Sequence, residues 1–189
     1  MEPAAASSLA VTRDQAKVSV LGVPSQPGLA SHILGTMARA HIEADVVVQN
    51  TGKDGKTDLS FTVRRNDCAR TVELLRVQVL PALGAREVVA DTGVCKISIA
   101  GNGTHSQVGT ASKLFGALRE EGIQAQMVST AETCTSVLID ETQLAQALQT
   151  LHRAFGLDPQ PAQTAGTTSE MRHNSGIGNV TEWPKVLPC

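Results

Sequence analysis

Apolar residues recur along this chain with two periods, and the order in which those periods alternate occurs twice. Lys17 to Leu21 alternates apolar with polar and is rich in Val, which predicts a strand. Gly22 to Gly28 (GVPSQPG) follows, with prolines and glycines that stop a strand. Leu29, Ile33, Leu34 and Met37 then fall at helical spacing and predict an amphipathic helix over about 28–40. Ala44 to Gln49 reads as a second strand and Thr51 to Lys56 (TGKDGK) as a hairpin turn. Asp58 to Val63 is a third strand with Leu59, Phe61 and Val63 on one face. Asp67 is placed to cap a helix carrying Val72, Leu75 and Val79, which Pro81 to Gly84 closes before a strand from Arg86 to Ala90.

The second half repeats this order. Leu9 to Gly22 aligns with Val88 to Gly101 at an offset of 79, and a longer second loop moves the offset to 81. Gly28, Ile33, Leu34, Gly35, Met37, Ile42 and Val47 then fall on Gly109, Leu114, Phe115, Gly116, Leu118, Ile123 and Val128. The second copy predicts a strand at 95–100, a loop at 101–109, a helix from about 110 to 121, and strands near 123–129 and 134–139. Asp140 and Gln143 form a capping box ahead of the stripe Leu144, Leu148, Leu151 and Phe155.

Each copy is strand–helix–strand–strand–helix, one strand short of a ferredoxin-like sheet. Leu9 to Val11 precedes the first copy as Val88 to Ala90 precedes the second, and no good strand follows the last helix. The fold class is therefore α+β: two ferredoxin-like βαββαβ units, each an antiparallel four-stranded sheet with helices on one face. Exchanged strands interlock them, Leu9 to Val11 completing the second unit's sheet. Residues 1–15 form an N-terminal segment carrying that strand, 16–90 the first unit and 91–157 the second. Residues 158–189, dominated by Pro, Gly, Thr, Ser and Asn, read as a disordered tail.

Composition narrows the function classes. With no Tyr, one Trp and three Phe, the cores must come from Val, Ile, Leu and Ala, and base stacking lacks its side chains. A formal charge of −2 gives no basic footprint for nucleic acid. No apolar run approaches the roughly 18 residues of a membrane span, and the N-terminus lacks the basic start and apolar block of a signal peptide. Cys68, Cys95, Cys134 and Cys189 are dispersed and suit small buried residues in a reducing cytosol. These features predict a cytoplasmic protein with neither a membrane nor a nucleic-acid partner. No nucleophile–base grouping, metal-type spacing or phosphate-loop motif occurs, so neither a catalytic nor a metal residue is assigned.

The two loops that open helices remain as candidate chemistry. A helix start presents unpaired N–H groups and a partial positive charge, which suit a carboxylate. Gly28 and Gly109 let a ligand approach the backbone. The neighbouring second strands end in Gln49-Asn50 and Ser129-Thr130, whose polar groups suit an ammonium or a hydroxyl. A strand-end amide beside a helix start is a receptor for a free amino acid.

At these residues the chain resembles a known family. Ala16 to Ala30 (AKVSVLGVPSQPGLA), Val46 to Asn50 (VVVQN), Thr57 to Val63 (TDLSFTV), Cys95 to Ile123 and Met127 to Ile139 are similar to the tandem ACT domains of aspartate kinase, in unbroken order over about residues 9–157. A start at Met1, directly ahead of the first such domain, resembles the separate regulatory (beta) subunit of heterotetrameric aspartate kinases. The resemblance implies a non-catalytic regulatory subunit that binds lysine, threonine or both at ACT interfaces for feedback control of aspartate phosphorylation to 4-phosphoaspartate. It implies no cofactor in this chain, with ATP and Mg²⁺ reached only through a catalytic partner subunit, and a homodimer or heterotetramer. Carried over by position, one effector site uses Ser25, Gln26, Pro27, Gly28, Leu29 and Ala30 with Gln49 and Asn50. Its equivalent uses Ser106, Gln107, Val108, Gly109 and Thr110 with Ser129 and Thr130. Ser25-Gln26 stands where the family commonly has an acidic residue and lysine, and Val108 where it has proline. These departures motivate the alternative of a free-standing ACT module that binds a ligand, or serves as a scaffold, without regulating the kinase.

Overall fold

The computed structural model describes residues 6–101, 107–131 and 133–157, so the 158–189 tail and most of the loop before the second unit's first helix lie outside it. Six strands and five α-helices are arranged as two βαββα passages: β1 (Ala6–Pro24), α1 (Leu29–Arg39), β2 (Val47–Thr51) and β3 (Lys56–Val63), then α2 (Cys68–Leu74) and α3 (Leu80–Leu83), then β4 (Glu87–Gly101), α4 (Gln107–Glu120), β5 (Met127–Ala131), β6 (Cys134–Asp140) and α5 (Leu144–Phe155). Between α2 and α3 the chain widens into a π turn over Leu75–Val79, where the Leu80 N–H donates to the Leu75 carbonyl. Pro81 lies directly beyond it. A proline offers no N–H to the preceding turn and its ring crowds the carbonyl four residues back, so the wider turn absorbs it without breaking the helix.

All six strands form one antiparallel sheet in the order β2-β3-β1-β4-β6-β5. The strand exchange is explicit in its register. Leu9 faces Ile99 and Val11 faces Ile97, so the start of β1 flanks the second unit, while Val88 and Ala90 face Val20 and Val18 and flank the first. The expected four-stranded sheets are thus overlapping halves of one sheet, and β1 and β4 are each a single strand serving both. Register slips at Thr12/Gln15 and Gln15/Lys17 mark where β1 passes from one half to the other. Bulges of this kind bend a strand and tighten its twist.

The helices cover one face in two patches. Val18, Val20, Leu59, Phe61 and Val63 pack under Leu29, Ile33, Met37, Leu75 and Val79. Cys95, Ile97, Ile99, Val137 and Ile139 pack with Leu9 and Val11 under Leu114, Leu118, Leu144, Leu151 and Phe155. A third, smaller cluster lies on the opposite face, where Val46 meets Val94, Met127 and Leu138. Val46 enters β2 and Met127 opens β5, the two outermost strands. Strands spaced about 4.8 Å apart would hold them roughly 24 Å apart in a flat sheet. Their contact shows that the sheet curls, with helices on its convex side and the halves facing each other across the concave side.

Capping differs from the sequence reading at one end. Asp140 accepts from the Thr142 N–H (2.8 Å) and opens the helical segment before α5, and hydrogen bonds from Thr142 hold its carboxyl below the usual carboxylate range. Asp67 makes no side-chain cap. Its carbonyl accepts from Thr71 Oγ1 (2.7 Å), and the neighbouring Arg65 takes the larger structural role.

Arg65 donates to the Arg13 carbonyl (2.6 Å), the Val94 carbonyl (3.3 Å), the Gln15 carbonyl (3.5 Å) and Glu141 Oε2 (2.8 Å). Its own N–H meets Asp14 Oδ1 (3.1 Å). One side chain therefore gathers three carbonyls at the bulged crossover and ties them to the turn before α5. Arg65→Ala is expected to lower the unfolding free energy by about 2–3 kcal/mol, since charge-assisted bonds to several acceptors are lost together. Glu141→Ala removes only a part-exposed ion pair, worth below about 1 kcal/mol. Urea unfolding of both variants checks the ranking.

Candidate functional site

The first candidate site is assembled by strand direction. β2 runs parallel to β1 through their common neighbour β3, so its end lies at the same edge as the loop that leaves β1. The row Val20–Leu59–Gln49 crosses three strands, which places the Gln49 backbone about 10 Å from Val20. Ser25, Gln26, Pro27 and Gly28 form the exposed loop above this row, and the Ser25 N–H donates to the Gly55 carbonyl (2.8 Å), fastening the loop to the β2–β3 turn. Leu29 is buried and Ala30 packs at the edge of the core, so these two anchor α1. Gly28 caps that helix at φ 85° with no side-chain cap. α1 thus starts, without a side-chain cap, at the same edge of the sheet as Gln49, an arrangement able to receive a carboxylate.

Gln49 and Asn50 separate because side chains alternate across a strand. Gln49 shares the helix-side face with Leu59, whereas Asn50 pairs with Asp58 and looks to the concave face. There Asn50, Asp54, Lys56, Asp58 and Arg86 line a hollow of about 120 Å³ at the sheet's end. Asp58 Oδ1 accepts from the Gly22 N–H (2.7 Å), which fixes the bulge that turns β1 into the loop.

The second candidate site is placed only in part. Ser106 lies outside the described residues, and Gln107 and Val108 are described only as backbone in the first turn of α4. Gly109 lies inside that helix, and a Cβ there would meet nothing within 4 Å. The helix begins three residues earlier than its spacing predicts, so Gly109 and Gly28 are not conformational equivalents. Thr110 is buried. On β5, Thr130 pairs with Thr135 on the helix side and is the structural counterpart of Gln49. Ser129 pairs with Ser136 and lines the concave hollow beside Lys96 and Thr62. The structure therefore brings Thr130 to the second junction and leaves Ser129 on the other face. Gln49 at the first junction has a shorter counterpart, Thr130, at the second, and on the concave face Ala131 stands where the first unit has Asn50, so the two junctions are chemically unequal.

The cysteines among the described residues, Cys68, Cys95 and Cys134, are free and buried. Burial, reinforced by the nearby Glu141 charge, pushes the Cys95 thiol up to about 11, and burial with Asp91 raises Cys68, which leaves neither a thiolate at neutral pH. Among the described residues no group of three or more His, Cys, Asp or Glu is placed to hold a metal ion, and no helix is long and apolar enough to cross a membrane. Sequence reasoning passed over Arg65, Asp45, Lys96, Lys17 and Gln126, the polar residues that join the two units. The signal was present, because Lys17 and Lys96 align at the first repeat offset and Asp45 and Gln126 at the second.

This geometry is that of paired ACT domains, a regulatory class of fold. Residues 97–155 match the ACT domain family. The aspartokinase of Pseudomonas aeruginosa is 45% identical over 163 residues, 86% of this chain, and the chain spans about two fifths of the length of such curated relatives. A chain in the crystal structure of aspartokinase alpha and beta subunits is 46% identical, covers 81% of this chain over its own full length, and superposes with a TM-score of 0.76. The regulatory subunit of aspartate kinase from Thermus thermophilus is 29% identical, with 80% of this chain and 99% of that one covered and a TM-score of 0.74. The chain belongs to the aspartokinase family and corresponds to its regulatory ACT part.

The two candidate glycines carry opposite expectations. Gly28→Ala places a side chain at positive φ and should destabilise the chain by about 1–2 kcal/mol. Gly109→Ala, in a helix with open space around it, should stabilise it by about 0.5–1 kcal/mol. Thermal unfolding of the two variants checks the signs.

Proposed function

We propose that this chain is a non-catalytic regulatory subunit of an aspartate kinase, binding a free amino acid at its strand-end and helix-start junctions. The observation that carries the reading is the first junction, where uncapped N–H groups of α1 stand beside the exposed Gln49 amide above a fastened loop. The N–H groups receive the effector carboxylate, and the polar side chains of the loop and Gln49 select its other end. Lysine, threonine or both are the effectors, and Thr130 with the start of α4 forms the second, smaller-armed junction. Occupancy favours one arrangement of a catalytic partner subunit, with coupling of about 1–3 kcal/mol. ATP and Mg²⁺ belong to that partner, and this chain takes no cofactor of its own. It works in the cytoplasm as a homodimer or within a heterotetramer.

A second reading has its own support. Ser25-Gln26 offers no carboxylate to an effector ammonium, and the short hydroxyl of Thr130 stands at the second junction where Gln49 supplies an amide at the first. A free-standing ACT module that binds another ligand, or none, fits those losses.

Calorimetry with lysine and threonine, followed by co-purification with an aspartate kinase catalytic chain, separates the two. Saturable heat, a stable complex and effector-dependent inhibition are expected. Gln49→Ala should weaken effector binding about tenfold, the loss of one hydrogen bond of about 1.4 kcal/mol. Absence of both heat and complex with either amino acid would remove the regulatory reading.

A further inference from the structure

The repeat has duplicated a contact that crosses between the units. Lys96 on β4 is 8% exposed and pairs its ammonium with Asp45 Oδ2, two residues before β2. Lys17 on β1 donates to Gln126 Oε1 (3.3 Å), one residue before β5. Lys17 and Lys96 are repeat equivalents, and so are Asp45 and Gln126, as their common place before equivalent strands shows. The two contacts are therefore one latch made twice. Each fastens the entry of an outer strand to the central strand of the opposite unit, across the concave face.

The two copies differ in strength. The first is an ion pair between a buried lysine and a partly exposed aspartate, beside Val46, Thr62, Ser136 and Leu138. Removing the carboxylate would strip a mostly enclosed lysine of its partner, so this latch is the firmer of the two. The second is a neutral amide contact, and Gln126 also donates from Nε2 to Asp91 Oδ2 (3.4 Å).

Each latch also joins the two junctions. Asp45 leads into β2, which carries Gln49, while Lys96 lies on the strand that leads to the second loop. Gln126 leads into β5, which carries Thr130, while Lys17 lies on the strand that leads to Ser25–Gly28. We propose that this pair of latches, dominated by Lys96–Asp45, makes β2 and β5 open and close together and so couples the two junctions. As a statement about effectors it rests on the function proposed above; as a statement about strand motion it stands alone.

Hydrogen exchange on the full chain tests it. In Asp45→Asn and in Lys96→Met, amides of β2 and also of β5, which Asp45 does not touch through its latch, should exchange at least tenfold faster. Combining Asp45→Lys with Lys96→Glu should return both strands toward the native rate, which a generally misfolded chain would not do. Gln126→Ala, milder and near the surface, should loosen β5 and β2 together by a smaller factor. Faster exchange confined to β2, or native rates in both strands, would overturn the coupling. Lysine and threonine added to the native chain should protect both strands, and in Asp45→Asn only the strand beside the occupied junction. If neither amino acid protects anything in the native chain, the effector reading fails, while the ligand-free exchange still decides the coupling.

Discussion

A βαββα unit of this kind cannot close its own sheet. Its first strand pairs on one side with the third and leaves the other side's N–H and C=O groups open, and buried backbone groups must be paired. In this chain each unit covers the other's open side: the start of β1 lies against β4 in the second half, and the start of β4 lies against β1 in the first. The hydrogen bonds that finish one unit are thus made by the chain that begins the other. The halves have separate helix-side cores but share their central ladder, so they fold as one body. Curling follows too, because a strand serving two twisted halves must bend between them, and the bulges around Gln15 supply the bend.

Most of this was legible in the sequence because binary pattern and repetition reinforce each other. Leu9 and Val11, too short a run to read alone, became a strand through their match with Val88 and Ala90. The continuity of β1 and β4 was not legible. Thr12 to Gln15 and Asp91 to Gly93 are polar and interrupt the alternation, so each long strand reads as two. That interruption is the crossover itself: its exposed residues are polar, and its carbonyls are satisfied by Arg65 from elsewhere in the chain. Pairings made 52 and 29 residues away leave no local signature. The start of α4 was also misread, since Gly109 resembles a helix stop whereas the chain uses it inside the first turn.

At the candidate sites the sequence indicated the segments better than the side chains. Strand ends and helix starts follow from periodicity, and both junctions contain the expected elements. Which polar residue faces the helices depends on register, and a shift of one residue changes the face. Val47 opposite Phe61 and Val128 opposite Val137 fix that register. Gln49 and Thr130 are thereby equivalent, and Ser129 goes to the concave face. The long amide at one junction and the short hydroxyl at the other mark divergence after duplication, as does the ion pair in one latch against the amide in the other.

That divergence bears on how a shared sheet would carry a signal. β1 and β4 run antiparallel, so the two junctions lie at opposite ends of the sheet with the latches between them. From Gln49 back to Asp45 is four residues, about 13 Å of strand, and β2 is held along its length only by β3 on one side. An outer strand with a single neighbour is the least constrained part of the sheet, and whatever grips its far end sets its position. A ligand ordering the Gln49 end adds a second grip, and strain between the two falls on the Lys96–Asp45 pair. Because Lys96 is enclosed and its partner Asp45 is only partly exposed, that pair is the stiffer of the two, and strain on it passes on to β4. In the other latch the Lys17 ammonium donates to an uncharged amide that also donates to Asp91, a longer contact that gives way sooner. Coupling between two sites is reciprocal, so both junctions feel the stiffer Lys96–Asp45 latch alike, and its weaker copy adds the smaller share in either direction.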